Sequence, residues 1–206
     1  ADADSFVLYL IDHGGKEKFQ MSGLEILEAE DLNLWLDELQ GKIPGKLTII
    51  YEACHSGSFL PRLANAQNEN RVVITSTSDD KLAYFMPEKA ISFSNYFWNH
   101  VFNGFSVKNA FDTATDAVRF TEKRQEPLLD DNSDGKYDEK DGLLAEATHI
   151  GNKVMSREDA PIIGSVFVSP ELLNIGENTA KISAENVTDE DGILRVWAVI
   201  WPPEDN

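Results

Sequence analysis

The chain has 206 residues, of which 42% are hydrophobic and 10% aromatic, so a folded core is expected rather than a disordered segment. Its 36 acidic residues outnumber its 18 basic residues and give a formal net charge of −18 at pH 7. This charge argues against binding to nucleic acids or anionic membranes, because both need a basic surface, and it mildly favours cationic partners or metal ions. No apolar run reaches the roughly 20 residues that a membrane helix requires.

The first residues, ADADSF, are acidic and polar and do not resemble a signal peptide. The single cysteine excludes an internal disulfide bond, so cysteine usage does not decide the cellular compartment. Strand-like patterns lie close to both ends of the sequence, and we therefore expect it to be a piece of a longer protein.

Strand and helix patterns alternate through the first 150 residues. Near-continuous apolar runs at residues 6–12, 47–53 and 71–77 predict strands that are buried on both faces, as in a parallel sheet. Helical spacing appears at residues 29–41, 92–104 and 106–120. The predicted buried stripes are Leu32, Trp35, Leu36 and Leu39 in the first helix, Phe93, Tyr96, Phe97, His100 and Val101 in the second, and Ala110, Phe111, Ala114 and Val118 in the third. This alternation predicts an α/β sandwich with right-handed crossovers.

The pattern changes near residue 156, and no helical period follows. Strand-like runs at residues 163–169, 179–187 and 192–201 are separated by turn sequences. We expect residues 1–155 to form one α/β domain and residues 156–206 to form the start of a β-sandwich of the immunoglobulin type.

Polar residues follow the first two predicted strands, at the point where each strand ends. His13 and Gly14 follow the first strand, and Cys54 follows the second. Sites in open parallel sheets form beyond the carboxyl ends of the strands, so the two side chains are expected on one edge. A histidine there can take the proton of a cysteine thiol, and the N–H groups of Gly14 and Cys54 can face an oxyanion.

These residues alone leave three interpretations of Cys54 open. It can be a small core residue, a nucleophile paired with His13, or a zinc ligand together with His13 and His55. The zinc site lacks a fourth ligand and the usual ligand spacing, so the sequence disfavours it. Both residues sit at strand ends, with Gly14 directly after His13 and Gly57 three residues after Cys54, so the catalytic interpretation is favoured over the core residue. His55, which follows the cysteine, is expected to be a neighbour rather than a base.

The motifs YLIDHGG (residues 9–15) and IIYEACHSGSF (residues 49–59) resemble those of the legumain group of caspase-fold cysteine peptidases, in a bacterial-type version. The resemblance extends through ITSTSDD and SFSNYFW over about 150 residues. It implies a three-layer α/β/α sandwich with a six-stranded, mainly parallel sheet and a His13–Cys54 dyad. It also implies two strands before the histidine strand, which we expect from a preceding segment or a cleaved chain that completes the sheet.

The same resemblance implies that Glu52 faces the pocket for the substrate's P1 side chain, with the segment after the third strand as its wall. That segment carries Ser76, Asp79 and Asp80. An acidic pocket favours a basic or hydrogen-bonding side chain, so Arg or Lys is expected at P1, with Asn as the alternative. Asp79 and Asp80 could equally form a solvated turn.

The segment DDNSDGKYDEKDG matches the calcium-loop template over residues 130–141. Glycine at position 6 permits the sharp turn, and Asp stands at position 12 in place of the usual Glu. The expected oxygen ligands are the side chains of Asp130, Asn132, Asp134, Asp138 and Asp141 and the carbonyl of Lys136. The other interpretation is an acidic surface turn without metal.

Two functions follow from these patterns. The first is a cysteine endopeptidase that acts on peptides or proteins, needs no cofactor for catalysis and contains one structural calcium ion. The second is a non-catalytic binding or adhesion module that is stabilised by calcium. A calcium loop favours a secreted, periplasmic or cell-surface location.

Overall fold

The computed structural model describes residues 5–64, 70–84, 92–121, 125–151, 162–169 and 181–188. The chain divides into two compact units, Ala1–Val154 and Met155–Asn206. The strands of the first unit are β1 (Phe6–Ile11), β2 (Gly14–Gly15), β3 (Lys18–Ser22), β4 (Glu25–Glu28), β5 (Leu47–Glu52), β6 (Arg71–Thr75) and β7 (Leu128–Asp130). Its helices are α1 (Ala29–Gln40), α2 (Leu60–Leu63), α3 (Phe93–Phe102), α4 (Val107–Thr121) and α5 (Leu143–Glu146), with a 3₁₀ turn at Ser56–Phe59.

The described part of the central sheet has four strands in the order β1-β5-β6-β7. β5 pairs in parallel with β1 and β6, and β7 is antiparallel to β6. All six residues of β5 are buried, as its continuous apolar run predicts. In the register, Ile11 lies opposite Glu52 and Tyr51 lies opposite Thr75, so the parallel strands end at one edge.

Helices cover both faces of this sheet and create two cores. On one face, Leu47, Ile49 and Tyr51 of β5 pack with α1 and α2. On the other face, Ile50 packs with the apolar stripes of α3 and α4. Alternate residues of one strand therefore belong to different cores, and the predicted three-layer, mainly parallel α/β arrangement is confirmed.

The stripe predicted for α1 is only partly correct. Leu32 and Leu36 are buried, and Leu39 packs against the same core, but 57% of Trp35 is exposed. Trp35 lies at helical spacing from Leu32 and Leu39, which is why the pattern included it. The apolar stripe of α1 is therefore wider than the face of the helix that is buried, and Trp35 lies on its exposed side.

A small antiparallel sheet of β2, β3 and β4 follows the histidine segment and was not predicted. Its strands have two, five and four residues, which is too short for a clear alternating pattern. Phe19 and Leu27 are paired in this sheet and anchor it in the first core.

Arg71 at the start of β6 joins three elements on the α1 side of the sheet. Only 1% of the residue is exposed. Its guanidinium donates to Asp37 Oδ1 at 2.7 Å, Asn33 Oδ1 at 2.8 Å, Gln40 Oε1 at 2.7 Å and the Leu63 carbonyl at 2.8 Å. Four of the five guanidinium N–H donors therefore have an acceptor, and the buried charge is paired with the Asp37 carboxylate.

Replacing Arg71 by lysine is expected to lower the free energy of unfolding by about 3 kcal/mol, because an ammonium group has only three donors and cannot reach four acceptors arranged around a guanidinium. Urea unfolding would measure the loss. Arg62→Lys is the matched control, because Arg62 pairs with Glu17 at the surface and the two side chains are 49% and 45% exposed. Its urea midpoint should stay at the wild-type value. Equal effects of the two substitutions would contradict a structural role for the Arg71 network.

β1 is an edge strand in the described part of the sheet, since it pairs with β5 on one side only. Its large apolar side chains are unusually accessible, with 38% of Phe6, 36% of Val7, 37% of Tyr9 and 43% of Ile11 exposed. Four central strands are described where the resemblance implies six.

In the second unit, β8 (Ile162–Ser169) and β9 (Lys181–Thr188) form an antiparallel pair. Both match runs predicted as strands, while the third predicted run, residues 192–201, lies outside the described residues. The start of a β-sandwich at residues 156–206 stays a prediction. No helix in the described ranges is both long and apolar enough to cross a membrane.

Candidate active site

The carboxyl ends of β1 and β5 bring the predicted histidine and cysteine segments together. His13 lies two residues beyond Ile11, and Cys54 lies two residues beyond Glu52, its partner in the register. A Cβ atom added to Gly14 would lie 2.6 Å from the Cys54 carbonyl oxygen and 2.7 Å from Ala53 Cβ. Only glycine therefore permits this close packing of the histidine segment on the cysteine segment.

Cys54 sits at a sharp turn that exposes it. The residues from Leu47 to Ala53 and from Ser56 to Leu60 are buried, whereas Cys54 and His55 are half-buried. His55 has φ 59° and ψ 21°, in the left-handed region that few non-glycine residues adopt. The turn therefore lifts the thiol out of the core, which disfavours the interpretation of Cys54 as a core residue.

The His13 backbone is fixed, and its imidazole is exposed. Its N–H donates to Asp12 Oδ1 at 2.7 Å, and its carbonyl accepts from the Gln20 N–H at 3.0 Å. Within the described residues the hydrogen bond of the Cys54 thiol goes to the Ala83 carbonyl, at 3.8 Å, and not to His13. These two hydrogen bonds of His13 thus involve its backbone, and hydrogen bonds between catalytic side chains are often long or poorly aligned in structures without substrate.

Glu52 and Ser76 lie beneath this edge on the α3 side of the sheet. The Ser76 N–H donates to the Tyr51 carbonyl at 3.0 Å, which extends the parallel register by one step and places Ser76 beside Glu52. Both residues are 0% exposed. Among the described residues, Glu52 Oε1 and the Ser76 hydroxyl have no hydrogen-bond partner.

The other carboxylate oxygen of Glu52 is bound by the start of α3. The Ser94 N–H donates to Glu52 Oε2 at 3.0 Å. Burial raises the pKa of Glu52, and hydrogen bonds from Ser94 and from the Phe93 N–H act in the opposite direction. The carboxyl group thus caps a helix and still has one oxygen for another partner.

Asp79 and Asp80 occupy the loop of residues 76–84, which we call the substrate loop. Both side chains are exposed. The Ser78 hydroxyl donates to Asp80 Oδ1 at 2.8 Å, and this hydrogen bond is the main cause of the lowered pKa of Asp80. The two carboxylates are therefore exposed, whereas Glu52 and Ser76 are buried.

Gln125 ties the two ends of the substrate loop together and was missed by sequence reasoning. Its amide nitrogen donates to the Ser76 carbonyl at 2.9 Å, and its carbonyl accepts from the Tyr84 N–H at 3.2 Å. The side chain is 2% exposed. No local pattern marks such a residue, because its partners are more than 40 positions away. The ion pair between Lys81 and Glu126 adds a further contact.

The acidic loop at residues 130–141 folds around its own backbone amides. Asp130 accepts from the N–H groups of Ser133 and Gly135 at 2.8 and 2.7 Å, and Gly135 has φ 77° at the position that needs glycine. Further loop contacts include Asn132 Oδ1 with the Asp134 N–H, Asp134 Oδ1 with the Lys136 N–H, Asp138 Oδ1 with the Lys140 N–H, and Asp141 with the N–H groups of Asp131 and Asp138. The loop is therefore ordered by Asx-type turns.

The pKa of Asp130 is raised to about 6, mainly by burial and in part by the nearby charges of Asp141 and Asp134, while the hydrogen bonds from Gly135 and Ser133 act in the opposite direction. Across the described residues, no group of three or more His, Cys, Asp or Glu side chains is arranged to hold a metal ion. The zinc interpretation of His13, Cys54 and His55 therefore gains no support. The donor set of the acidic loop still has the hard-oxygen chemistry that calcium takes.

The layered α/β fold with a mainly parallel sheet, carrying a cysteine and a histidine at one edge, is that of caspase-like proteins. A model of the Peptidase C13 family matches residues 1–126, which is more than half of the chain. The chain therefore belongs to the Peptidase C13 family, the legumain-like cysteine peptidases. A search of curated proteins found no significant match.

Proposed function

We propose that the protein is a cysteine endopeptidase in which Cys54 is the nucleophile and His13 is the general base and acid. The observation that carries this proposal is the half-exposed Cys54 at a left-handed turn, packed against Gly14 at the edge shared by β1 and β5. Family membership supports the activity class, and the register supports the pairing of these two residues.

In the proposed reaction His13 takes the Cys54 proton, and the thiolate attacks the carbonyl carbon of the scissile bond. The N–H groups of Gly14 and Cys54 face the resulting oxyanion. The C–N bond then breaks, and His13 gives its proton to the leaving amine. A water molecule, deprotonated by His13, attacks the thioester, and the acid product leaves as the thiol is restored.

A peptidyl acyloxymethyl ketone tests this proposal, because the active thiolate displaces the carboxylate and stays bound through a thioether. Intact mass should show one adduct on the wild-type protein and none on Cys54→Ala or His13→Ala. A wild-type protein that forms no adduct with any P1 residue would instead favour the calcium-stabilised binding or adhesion module.

We also propose that the P1 pocket takes Arg or Lys, with Asn as the second choice. The support is two buried polar atoms without a hydrogen-bond partner among the described residues, Glu52 Oε1 and the Ser76 hydroxyl. Asp79 and Asp80 are exposed on the substrate loop and would form the rim of this pocket. Leaving such atoms unpaired is costly, and a guanidinium or ammonium group would satisfy them. Peptides that differ only at P1 test this; better cleavage after Asp or an aliphatic residue would contradict it.

A structural calcium ion in the loop of residues 130–141 is a further proposal. The donor set would be the side chains of Asp130, Asn132, Asp134, Asp138 and Asp141 with the Lys136 carbonyl. The left-handed Gly135 and the electrostatic repulsion that Asp130 receives from Asp134 and Asp141 support it, since a cation would relieve that repulsion. Binding would require these carboxylates to turn from backbone amides towards the ion.

Calcium at 100 times its dissociation constant is expected to stabilise the protein by about 2.7 kcal/mol, measured as a shift in Tm against a chelator control. Asp130→Asn should weaken calorimetric binding by roughly a hundredfold, because it removes a charged ligand. Asp116→Asn, on the exposed face of α4, is the matched control and should bind as the wild type does. Absence of both binding heat and a Tm shift at millimolar calcium would contradict a calcium site.

Three expectations complete the proposal. A peptidase with a structural calcium ion fits a secreted, periplasmic or cell-surface location. The exposed apolar side chains of β1 favour pairing with a strand from a preceding segment of the same polypeptide, cleaved or uncleaved. The strongly acidic composition argues against nucleic-acid partners.

A further inference from the structure

We propose that His55 is a positioning residue that fixes the substrate loop, residues 76–84, against the turn that carries the nucleophile. The part of this proposal that concerns catalysis rests on the proposed peptidase function. His55 itself does not act on the substrate, because its ring is engaged with the loop.

Two hydrogen bonds join His55 to the substrate loop. Its backbone N–H donates to the Lys81 carbonyl at 2.9 Å, and its Nδ1 lies 2.9 Å from the Asp79 carbonyl oxygen. A carbonyl only accepts, so Nδ1 must carry the proton. Both the neutral Nδ1–H tautomer and the imidazolium carry that proton, so both forms of the His55 ring can donate to the Asp79 carbonyl.

Gly57 brings the two segments into direct contact next to these bonds. A Cβ atom there would lie 2.8 Å from Ser78 Cα and 2.8 Å from the Asp79 nitrogen. The Ser56 hydroxyl also donates to the Thr77 carbonyl at 3.3 Å and accepts from the Thr77 N–H at 3.2 Å. The cysteine turn and the loop are therefore packed backbone to backbone, with the His55 ring reaching further along the loop.

The backbone at position 55 is in a conformation that glycine adopts more readily than histidine. His55 has φ 59°, and a residue other than glycine adopts this left-handed conformation at some cost in conformational energy. Histidine is among the few residues enriched in this region, but the cost is larger than for glycine. The hydrogen bond from Nδ1 to the loop supplies a physical reason for a side chain at this position.

The contacts of His55 lie at the far part of a loop whose ends Gln125 already ties together. Gln125 holds Ser76 and Tyr84, and the residues between them are held by the Lys81–Glu126 ion pair and by the contacts with the cysteine turn. Of these, the contacts with the cysteine turn link the loop to the segment that carries the thiol. The loop returns past the thiol at Ala83, whose carbonyl lies 3.8 Å from Cys54 Sγ. Loss of the His55 ring should therefore loosen the rim of the P1 pocket without altering the thiol itself.

His55→Gly tests this proposal, since it removes the ring and also the backbone strain. We expect a Tm equal to or above that of the wild type and alkylation of Cys54 by iodoacetamide within about threefold of the wild-type rate. We expect kcat/KM for the best peptide to fall by roughly tenfold. The ratio of the kcat/KM values for peptides with the best and the second-best P1 residue should also decrease. His55→Asn tolerates the same backbone and has an amide donor, so it should recover part of the selectivity.

Hydrogen exchange separates this proposal from the proposed function. The amides of residues 79–83 should exchange about fivefold or more faster in His55→Gly than in the wild type, whether or not either protein cleaves peptides. If the wild-type protein forms no adduct with the acyloxymethyl ketone, the proposed peptidase function is overturned. The exchange rates of residues 79–83 would still test the role of His55. Unchanged exchange together with unchanged P1 selectivity overturns the role of His55. If the glycine variant does not fold, His55→Met, which keeps the bulk without a donor, takes its place with the same readouts.

Discussion

Cys54→Ala is expected to lower kcat/KM for peptide cleavage by at least about 10⁴-fold, because the proposed acyl-enzyme intermediate forms on the chain's single cysteine. His13→Ala should cost about 10² to 10⁴-fold, the usual contribution of a positioned general base. The double variant should be no slower than Cys54→Ala alone, because the two residues act in one step. Fluorogenic peptides with the preferred P1 residue would measure all three.

His149→Ala is the matched control for the histidine substitution. His149 is an exposed histidine of the same unit, outside the candidate site, and its removal should leave kcat/KM within about twofold. A Cys54→Ala protein that keeps more than a few per cent of the wild-type rate would show that another nucleophile acts. Equal losses in His13→Ala and His149→Ala would place the base elsewhere.

Glu52→Gln is expected to change the P1 preference. Cleavage after Arg should fall by roughly a hundredfold, because a desolvated cation loses its charged partner. Cleavage after Asn should change far less, since a glutamine amide can still bond to an asparagine side chain. The ratio of kcat/KM values for two peptides that differ only at P1 measures the effect. Glu25→Gln, at an exposed position of β4, is the matched control and should keep the wild-type ratio.

The same substitution has an expected effect on stability that depends on pH. Burial raises the pKa of Glu52 in the folded protein above its usual value of 4.5. At a pH below that usual value, the carboxyl group is protonated in both the folded and the unfolded state, so its ionisation does not affect the free energy of unfolding. As the pH rises, the unfolded chain loses the proton first, so the wild type loses stability until the raised pKa is passed. Glu52→Gln should therefore have the higher Tm at pH 8, with the difference vanishing near pH 4.

The central sheet and the candidate dyad were predictable because their signals are local. β5 is apolar in every position except Thr48 and Glu52, and such runs form strands covered on both faces. Parallel strands end at one edge, so the positions of His13 and Cys54 after two such strands were enough to place them together. The glycine beside His13 marks the close backbone approach that the structure shows at Gly14.

Features that depend on distant partners were not predictable. Gln125 acquires its role from carbonyl and amide groups more than 40 positions earlier, and Arg71 acquires its role from α1 and α2. Trp35 has the spacing of a core residue, but the sheet does not extend far enough to cover it. In each case the decisive contact is tertiary, and no periodicity in the sequence encodes it.

The open edge of β1 also affects how the protein behaves in concentrated solution. A half-exposed apolar strand that is paired on one side in the described structure offers its free N–H and C=O groups to another copy. The net charge of −18 keeps copies apart through mutual repulsion. Salt at 0.1 M limits that repulsion to about 10 Å without altering the strand, so colloidal stability should decline as ionic strength rises. Low-salt buffers are thus the conditions in which this chain stays dispersed.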